Sequence, residues 1–126
     1  MPALPWAPGP ARDAQGDSVV MASHFRVRSY WQVIPFLIDA MRVHALARRS
    51  AGAIGVALDA QPLRKEFWTL SQWRDRASLD AMVRAEPHAS VMARQRKVMA
   101  QSAFRFWTAP ATEPPTWDDA RARILQ

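Results

Sequence analysis

The chain has 126 residues, 49% of them hydrophobic and 22% charged, with no cysteine, ten prolines and six tryptophans. That size and balance suit one globular domain rather than a disordered chain, and the missing thiols exclude a disulfide framework, a cysteine nucleophile and a thiolate metal site. Seventeen basic residues against eleven acidic ones give a formal net charge of +6, but they are scattered without a run of five or six like charges, so no nucleic-acid partner is expected.

Residues 1–17 carry Pro2, Pro5, Pro8 and Pro10 with no hydrophobic period, and read as a flexible Pro-rich tail in which Trp6 either docks on the domain or, the favoured reading, is an unbound aromatic. From Val19 to Arg28 the residues alternate, with Val19, Met21, Phe25 and Val27 on one side, as in a strand. The period changes near Val33. Ile34, Leu37, Ile38, Met41 and Ala45 form a helical stripe, with Asp39 elsewhere on the wheel, Pro35 in the first turn and Gly52 as the stop. His44, at the border of that stripe, reads as solvated.

Ala53–Leu58 is expected to be a short strand and Asp59–Lys65 a turn. Glu66–Trp73 is a strand with Phe67, Thr69, Ser71 and Trp73 on one face and Trp68 and Leu70 on the other. Ser78–Ala85 forms a short helix. Glu86 and Pro87 break it, and Pro87 suits the first turn of a second helix presenting His88, Val91, Met92, Gln95 and Met99 on one stripe. Ala103–Ala109 is a last strand, and Thr116 caps a final short helix.

The order is strand, helix, strand, strand, split helix, strand. It predicts an α+β domain over residues 18–109, a ferredoxin-like βαββαβ fold with a four-stranded antiparallel sheet and helices on one face, followed by an extension at 110–126. The other sheet face carries large apolar groups, so a homodimer through that open face is expected. No apolar run reaches the roughly 18 residues of a membrane span, and the start lacks a basic stretch followed by an apolar core, so the expectation is a cytoplasmic protein without a membrane span.

Candidate chemistry is sparse. The three histidines His24, His44 and His88 fall on different elements without helical ligand spacing, so no metal site is expected. There is no glycine-rich phosphate loop and no serine nucleophile elbow. His88, on the apolar stripe of its helix, is the candidate general base; the alternative is a hydrogen-bonded histidine at a helix start. The Trp73 indole can donate to a ligand oxygen or simply pack in the core. Thr69 and Ser71, between Phe67 and Trp73, suggest an apolar pocket wall with a few donors. Arg26 either holds an anionic intermediate or lies at a solvent-exposed edge.

Trp68 to Asp75, followed by Ser78-Leu79, Met82 and Glu86-Pro87-His88, resembles the antibiotic-biosynthesis-monooxygenase-like branch of the dimeric α/β-barrel superfamily. Ala53 to Val56, Pro62 to Arg64, Phe67 to Ser71 and Phe104 to Trp107 are similar to its spheroidene monooxygenase-like members. The resemblance covers roughly residues 19–109. It implies a dimeric α/β barrel and a monooxygenase-like protein binding a bulky hydrophobic substrate, aromatic or polyene, between sheet and helices. Oxygenation there would need neither metal nor flavin. His88 matches the histidine of a small-Pro-His motif, and Trp31, with Tyr30, falls near the cavity mouth. Met82 and Met92 stand where haem-degrading members carry a tryptophan and a ligand histidine, which leaves Met92 as a wall residue. A non-catalytic ligand-binding or structural homodimer is the rival reading, and haem binding through His88 a third.

Overall fold

The computed structural model describes residues 3–86, 88–96 and 99–125, so the helix-start role expected of Pro87 lies outside the described residues. Five strands and four helices follow one another: β1 (Ala3–Pro8), β2 (Asp17–Val27), α1 (Val33–Arg49), β3 (Ala53–Gln61), β4 (Glu66–Trp73), α2 (Arg76–Arg84), α3 (His88–Gln95), β5 (Met99–Pro110) and α4 (Trp117–Ile124). The sheet order is β1-β3-β4-β2-β5 with every neighbouring pair antiparallel. Without β1 this is the expected split βαβ arrangement, in which β2-α1-β3 encloses β4.

Most elements form where the periodicity places them, but several run longer. β3 continues to Gln61 because Asp59, Ala60 and Gln61 still pair with Trp68, Phe67 and Glu66. The expected turn shrinks to a 3₁₀ turn over Pro62–Arg64, closed by Lys65 in the left-handed region at φ 60°. β5 begins at Met99, which belongs to the strand rather than to the α3 stripe, because β2 offers a partner down to Val27, with a register shift between Arg26 and Val27. The cap of α1 is Ser50, whose hydroxyl donates to the Leu46 carbonyl at 2.8 Å, rather than Gly52.

Three expectations fail. The first is the tail: Ala3–Pro8 pairs with β3 at the sheet edge, where prolines are tolerated because an edge strand leaves half its donors unused. Trp6 is docked, not free. It packs against the core and covers Gly55, where a Cβ would come within 2.2 Å of the indole. The second is the phase of α1. Its buried side carries Val33, Phe36, Asp39, Leu46 and Ala47, while Ile34, Ile38 and Met41 are exposed. Both stripes are apolar, so helical period alone does not choose between them.

The third concerns the sheet face expected to be bare. It carries Val20, Ala22, Ala57, Trp68 and Leu70, and the chain's own α4 buries Ala120 and Ile124 against them. Arg121 fastens that helix, reaching the Asp59 carboxylate at 3.1 Å and lying over the Trp68 ring at 5.5 Å. The buried Gln72 amide donates to Ser18 Oγ, the Pro110 carbonyl and the Glu113 carbonyl at 2.9, 3.1 and 3.2 Å, which ties the segment leading to α4 down onto the sheet. The opposite face is covered by α1, α2 and α3 and holds two core clusters, one around Trp73 and Leu79, the other around Phe25, Phe36 and Phe67.

Candidate functional site

Between those two clusters the helix-covered face is not filled. At mid-sheet, where large apolar groups would close the core, Ser23 stands opposite Thr69 and Met21 opposite Ser71. The Ser23 and Thr69 hydroxyls are hydrogen-bonded to each other, a cross-strand pairing that satisfies both in an apolar setting. The short side chains leave a cavity of about 90 Å³ under α1 and α3. Ligand pockets commonly measure about 300–1,000 Å³. A bulky substrate therefore does not fit unless the wall moves. The wall includes Met21, Met82, Met92 and Met99, whose unbranched side chains are the ones best able to swing aside.

Five of the residues singled out in the sequence come together here: Phe67, Thr69, Ser71, His88 and Met92 all line the cavity. His88 opens α3, half-buried, and its Nδ1–H donates to the Val83 carbonyl at 3.1 Å. Donation from Nδ1 leaves the lone pair on Nε2. Burial lowers the pKa of His88 below the ordinary histidine value, the Val83 bond partly opposing it. At neutral pH the ring is an unprotonated base on an apolar wall.

The other three lie elsewhere. Trp73 is fully buried away from the cavity, among Leu46, Ala53 and Leu79, and its indole N–H donates to Ser71 Oγ at 2.9 Å. It is a core residue whose one donor is already used. The Ser71 hydroxyl proton stays available. Trp31 is 92% exposed on the 3₁₀ turn before α1, beside an outer groove rather than over the cavity. Arg26 is exposed near the end of β2, opposite Glu66 and Gln101.

Two cavity residues escaped the sequence reading, both on the unexpected side of α1. Asp39 is buried, and its carboxylate accepts from Gln95 Nε2 at 2.5 Å, Arg94 at 2.9 Å and Arg42 at 3.5 Å. Burial alone would raise its pKa, but the Gln95 and Arg94 hydrogen bonds and the charges of Arg94 and Arg42 hold it below the usual carboxylate value. The residue joins α1 to α3 across the roof of the cavity. His44 is not solvated. It lines the cavity, its Nε2 is shut off from solvent without a hydrogen-bond partner among the described residues, and its pKa is lowered by burial and then by Arg48. Their signal is present in the sequence: Val33, Phe36, Ala40, Val43 and Ala47 repeat at helical spacing, and Asp39 and His44 lie beside them.

The family model described as a domain of unknown function (DUF3291) matches residues 31–126, and the chain belongs to that family. No curated protein matches the chain. Among solved structures it is similar to SnoaB, a cofactor-independent oxygenase from Streptomyces nogalater, at 17% identity and a TM-score of 0.62, covering 75% of this chain and 94% of that one. An antibiotic biosynthesis monooxygenase superposes with a TM-score of 0.65 at 14% identity, over 72% of this chain and 97% of the other. A putative monooxygenase from Lactobacillus acidophilus gives 0.66 at 10% identity; 79% of this chain matches, but only 47% of that longer protein. At these identities the likeness establishes the fold, which is the ferredoxin-like fold of the antibiotic biosynthesis monooxygenases.

Proposed function

Starting from a DUF3291 member with the monooxygenase-type fold, we propose that the cavity takes a small apolar substrate with an acidic C–H or O–H and that His88 withdraws its proton for reaction with oxygen. The observation that carries this reading is the hydrogen bond from His88 Nδ1–H to the Val83 carbonyl, which leaves the Nε2 lone pair free on a residue of the apolar cavity wall. Ser71 or the Ser23–Thr69 pair supplies the hydroxyl that steadies the resulting anion. For a methylene carbon, the carbanion adds O₂ to give a peroxide anion, which takes back the proton from His88. Loss of water from the hydroperoxide then leaves a carbonyl. One oxygen atom ends in product and one in water, so no external reductant is needed. Similarity in fold to SnoaB, described as a cofactor-independent oxygenase, supports this chemistry. The cavity of about 90 Å³ favours a substrate far smaller than a haem.

The test is oxygen uptake by purified protein over single-ring phenols and enolisable ketones, beside His88→Ala and His88→Gln. Uptake above the protein-free rate, lost in both variants with the circular dichroism unchanged, is expected. Undiminished uptake by His88→Ala removes His88 from the mechanism. The small cavity volume favours one rival, a non-catalytic binder, which would show saturable ligand binding and no oxygen consumption. A homodimer through the α4-bearing sheet face completes the proposal, with α4 inside the interface. A monomer in sedimentation at micromolar concentration refutes that part.

A further inference from the structure

On its outer side His44 faces a second feature. Pro8, at the end of β1, Gly9, Pro10 and Arg12, from the segment after it, and Ala45, Arg48 and Arg49, from the last turns of α1, line a surface groove of about 340 Å³ whose inner wall is again His44. His44 thus lines both the apolar cavity and this groove. The groove is basic. Arg12, Arg48 and Arg49 come from two elements far apart in sequence, and none of them has a carboxylate partner among the described residues. Cations in the last turn of a helix are ordinary complements to its dipole, which accounts for Arg48 and Arg49. It does not account for Arg12.

Arg12 is held there by the backbone. Its Nε–H donates to the Gly9 carbonyl at 3.0 Å, and the segment is pinned to β3 by Gly9 N–H to the Ile54 carbonyl at 3.0 Å and Ala11 N–H to the Ala53 carbonyl at 2.8 Å. Gly9 permits this approach, since a Cβ there would come within 2.4 Å of the Ala53 oxygen. Residues 8–12 precede the stretch matched by the family model, which begins at residue 31. Its N-terminal wall thus lies outside the matched stretch, as β2 does, while His44, Ala45, Arg48 and Arg49 lie within it.

We propose that the substrate is an apolar carboxylic acid, its carboxylate held by the guanidinium groups of Arg12, Arg48 and Arg49 and its apolar end reaching the cavity past His44. The inference rests on the cavity reading above and adds the anionic half of the ligand. Guanidinium groups match the planar carboxylate in charge and hydrogen-bond geometry. His44 is the partition: turning its ring joins groove to cavity, and its unpartnered Nε2 then meets the ligand's neck.

The experiment compares 3-phenylpropionate, its neutral analogue 3-phenylpropanol, and inorganic phosphate, by calorimetry on the full chain and on Arg48→Ala/Arg49→Ala and Arg12→Ala. The acid should bind about tenfold or more tightly than the alcohol, in line with one to two charge-assisted hydrogen bonds. That preference should shrink with added salt and vanish in the arginine variants, while the alcohol's affinity stays unchanged in all of them. Phosphate should displace the acid and leave the alcohol bound. Equal affinity of acid and alcohol, or a preference that survives in the arginine variants, overturns the carboxylate inference and leaves the cavity reading standing. Phosphate binding as tightly as the acid means a free anion site unconnected to the cavity, which also overturns it. Binding of neither organic probe removes both.

Discussion

Replacing Asp39 by Ala takes the acceptor from three donors at once, and the cost can be worked from their exposure. Gln95 is buried, so its amide, 2.5 Å from the carboxylate, would be left unsatisfied, at about 1–3 kcal/mol. Arg94 and Arg42 are 53% and 55% exposed; water replaces the lost partner there, and each adds no more than ~1 kcal/mol. A loss of roughly 1–5 kcal/mol follows, or a fall in Tm of about 4–20 °C for a domain of this size. Asp39→Asn keeps an acceptor for Gln95 but gives up the charge, and should lose only about 1 kcal/mol. The pH dependence fixes the cause. The pKa of Asp39 is lowered in the fold, so its ionised form stabilises above the unfolded value near ~3.9, and the benefit is lost as pH falls through the lower folded value. Urea melts of wild type and Asp39→Asn at pH 7 and at successively lower pH below 4 should therefore show a gap that narrows with acid. An Asp39→Ala loss under ~0.5 kcal/mol, within the range of ordinary surface changes, or a gap that stays constant into acid, refutes the argument.

Burial lowers the pKa of both His44 and His88, with Arg48 adding to the effect at His44. Their neutral forms thus stabilise the fold fully above the unfolded value near ~6.5, and that stability is lost as pH falls through the lower folded values. The urea midpoint should decline from pH 7 towards pH 5 and flatten in the His44→Gln/His88→Gln variant; a midpoint rising with acid contradicts this. At the other end of the molecule, Gly55→Ala sets a Cβ within 2.2 Å of the Trp6 indole and should cost about 1–3 kcal/mol through overpacking. Adding Trp6→Ala should recover part of that loss, and strictly additive losses in the cycle would mean that the two residues do not meet.

The sheet is legible in the sequence because alternation is local. The parity of Val19–Val27 and of Phe67–Trp73 is the parity observed, and by itself it puts Phe67, Thr69 and Ser71 on one face. The antiparallel order follows from the succession of elements. What alternation does not carry is competition between distant segments. Trp6 and α4 each find an apolar surface on the sheet, made by Gly55 for one and by Val20, Ala22 and Trp68 for the other, and nothing within the segments themselves names those partners. Pro2, Pro5, Pro8 and Pro10 argue for a free tail, yet pairing along an edge needs only alternate donors.

The site is half legible for a related reason. Helix α1 carries two apolar stripes, Val33-Phe36-Ala40-Val43-Ala47 and Ile34-Leu37-Ile38-Met41-Ala45. Choosing the second avoids burying Asp39 and His44, which is what hydrophobicity recommends. The fold chooses the first and leaves Ile34, Ile38 and Met41 in water. That exchange works against the apolar driving force on both sides of the helix, so packing elsewhere must favour it: Phe36 stacks against Phe67 at 4.5 Å and against Phe25 at 5.7 Å. The same phase carries Asp39 to the buried Gln95, and sets His44 between the cavity and the arginine groove. Buried polar groups that break the local rule concentrate where a protein binds or reacts. On α1 the departures from amphipathic order, rather than the order itself, mark the residues that line the cavity.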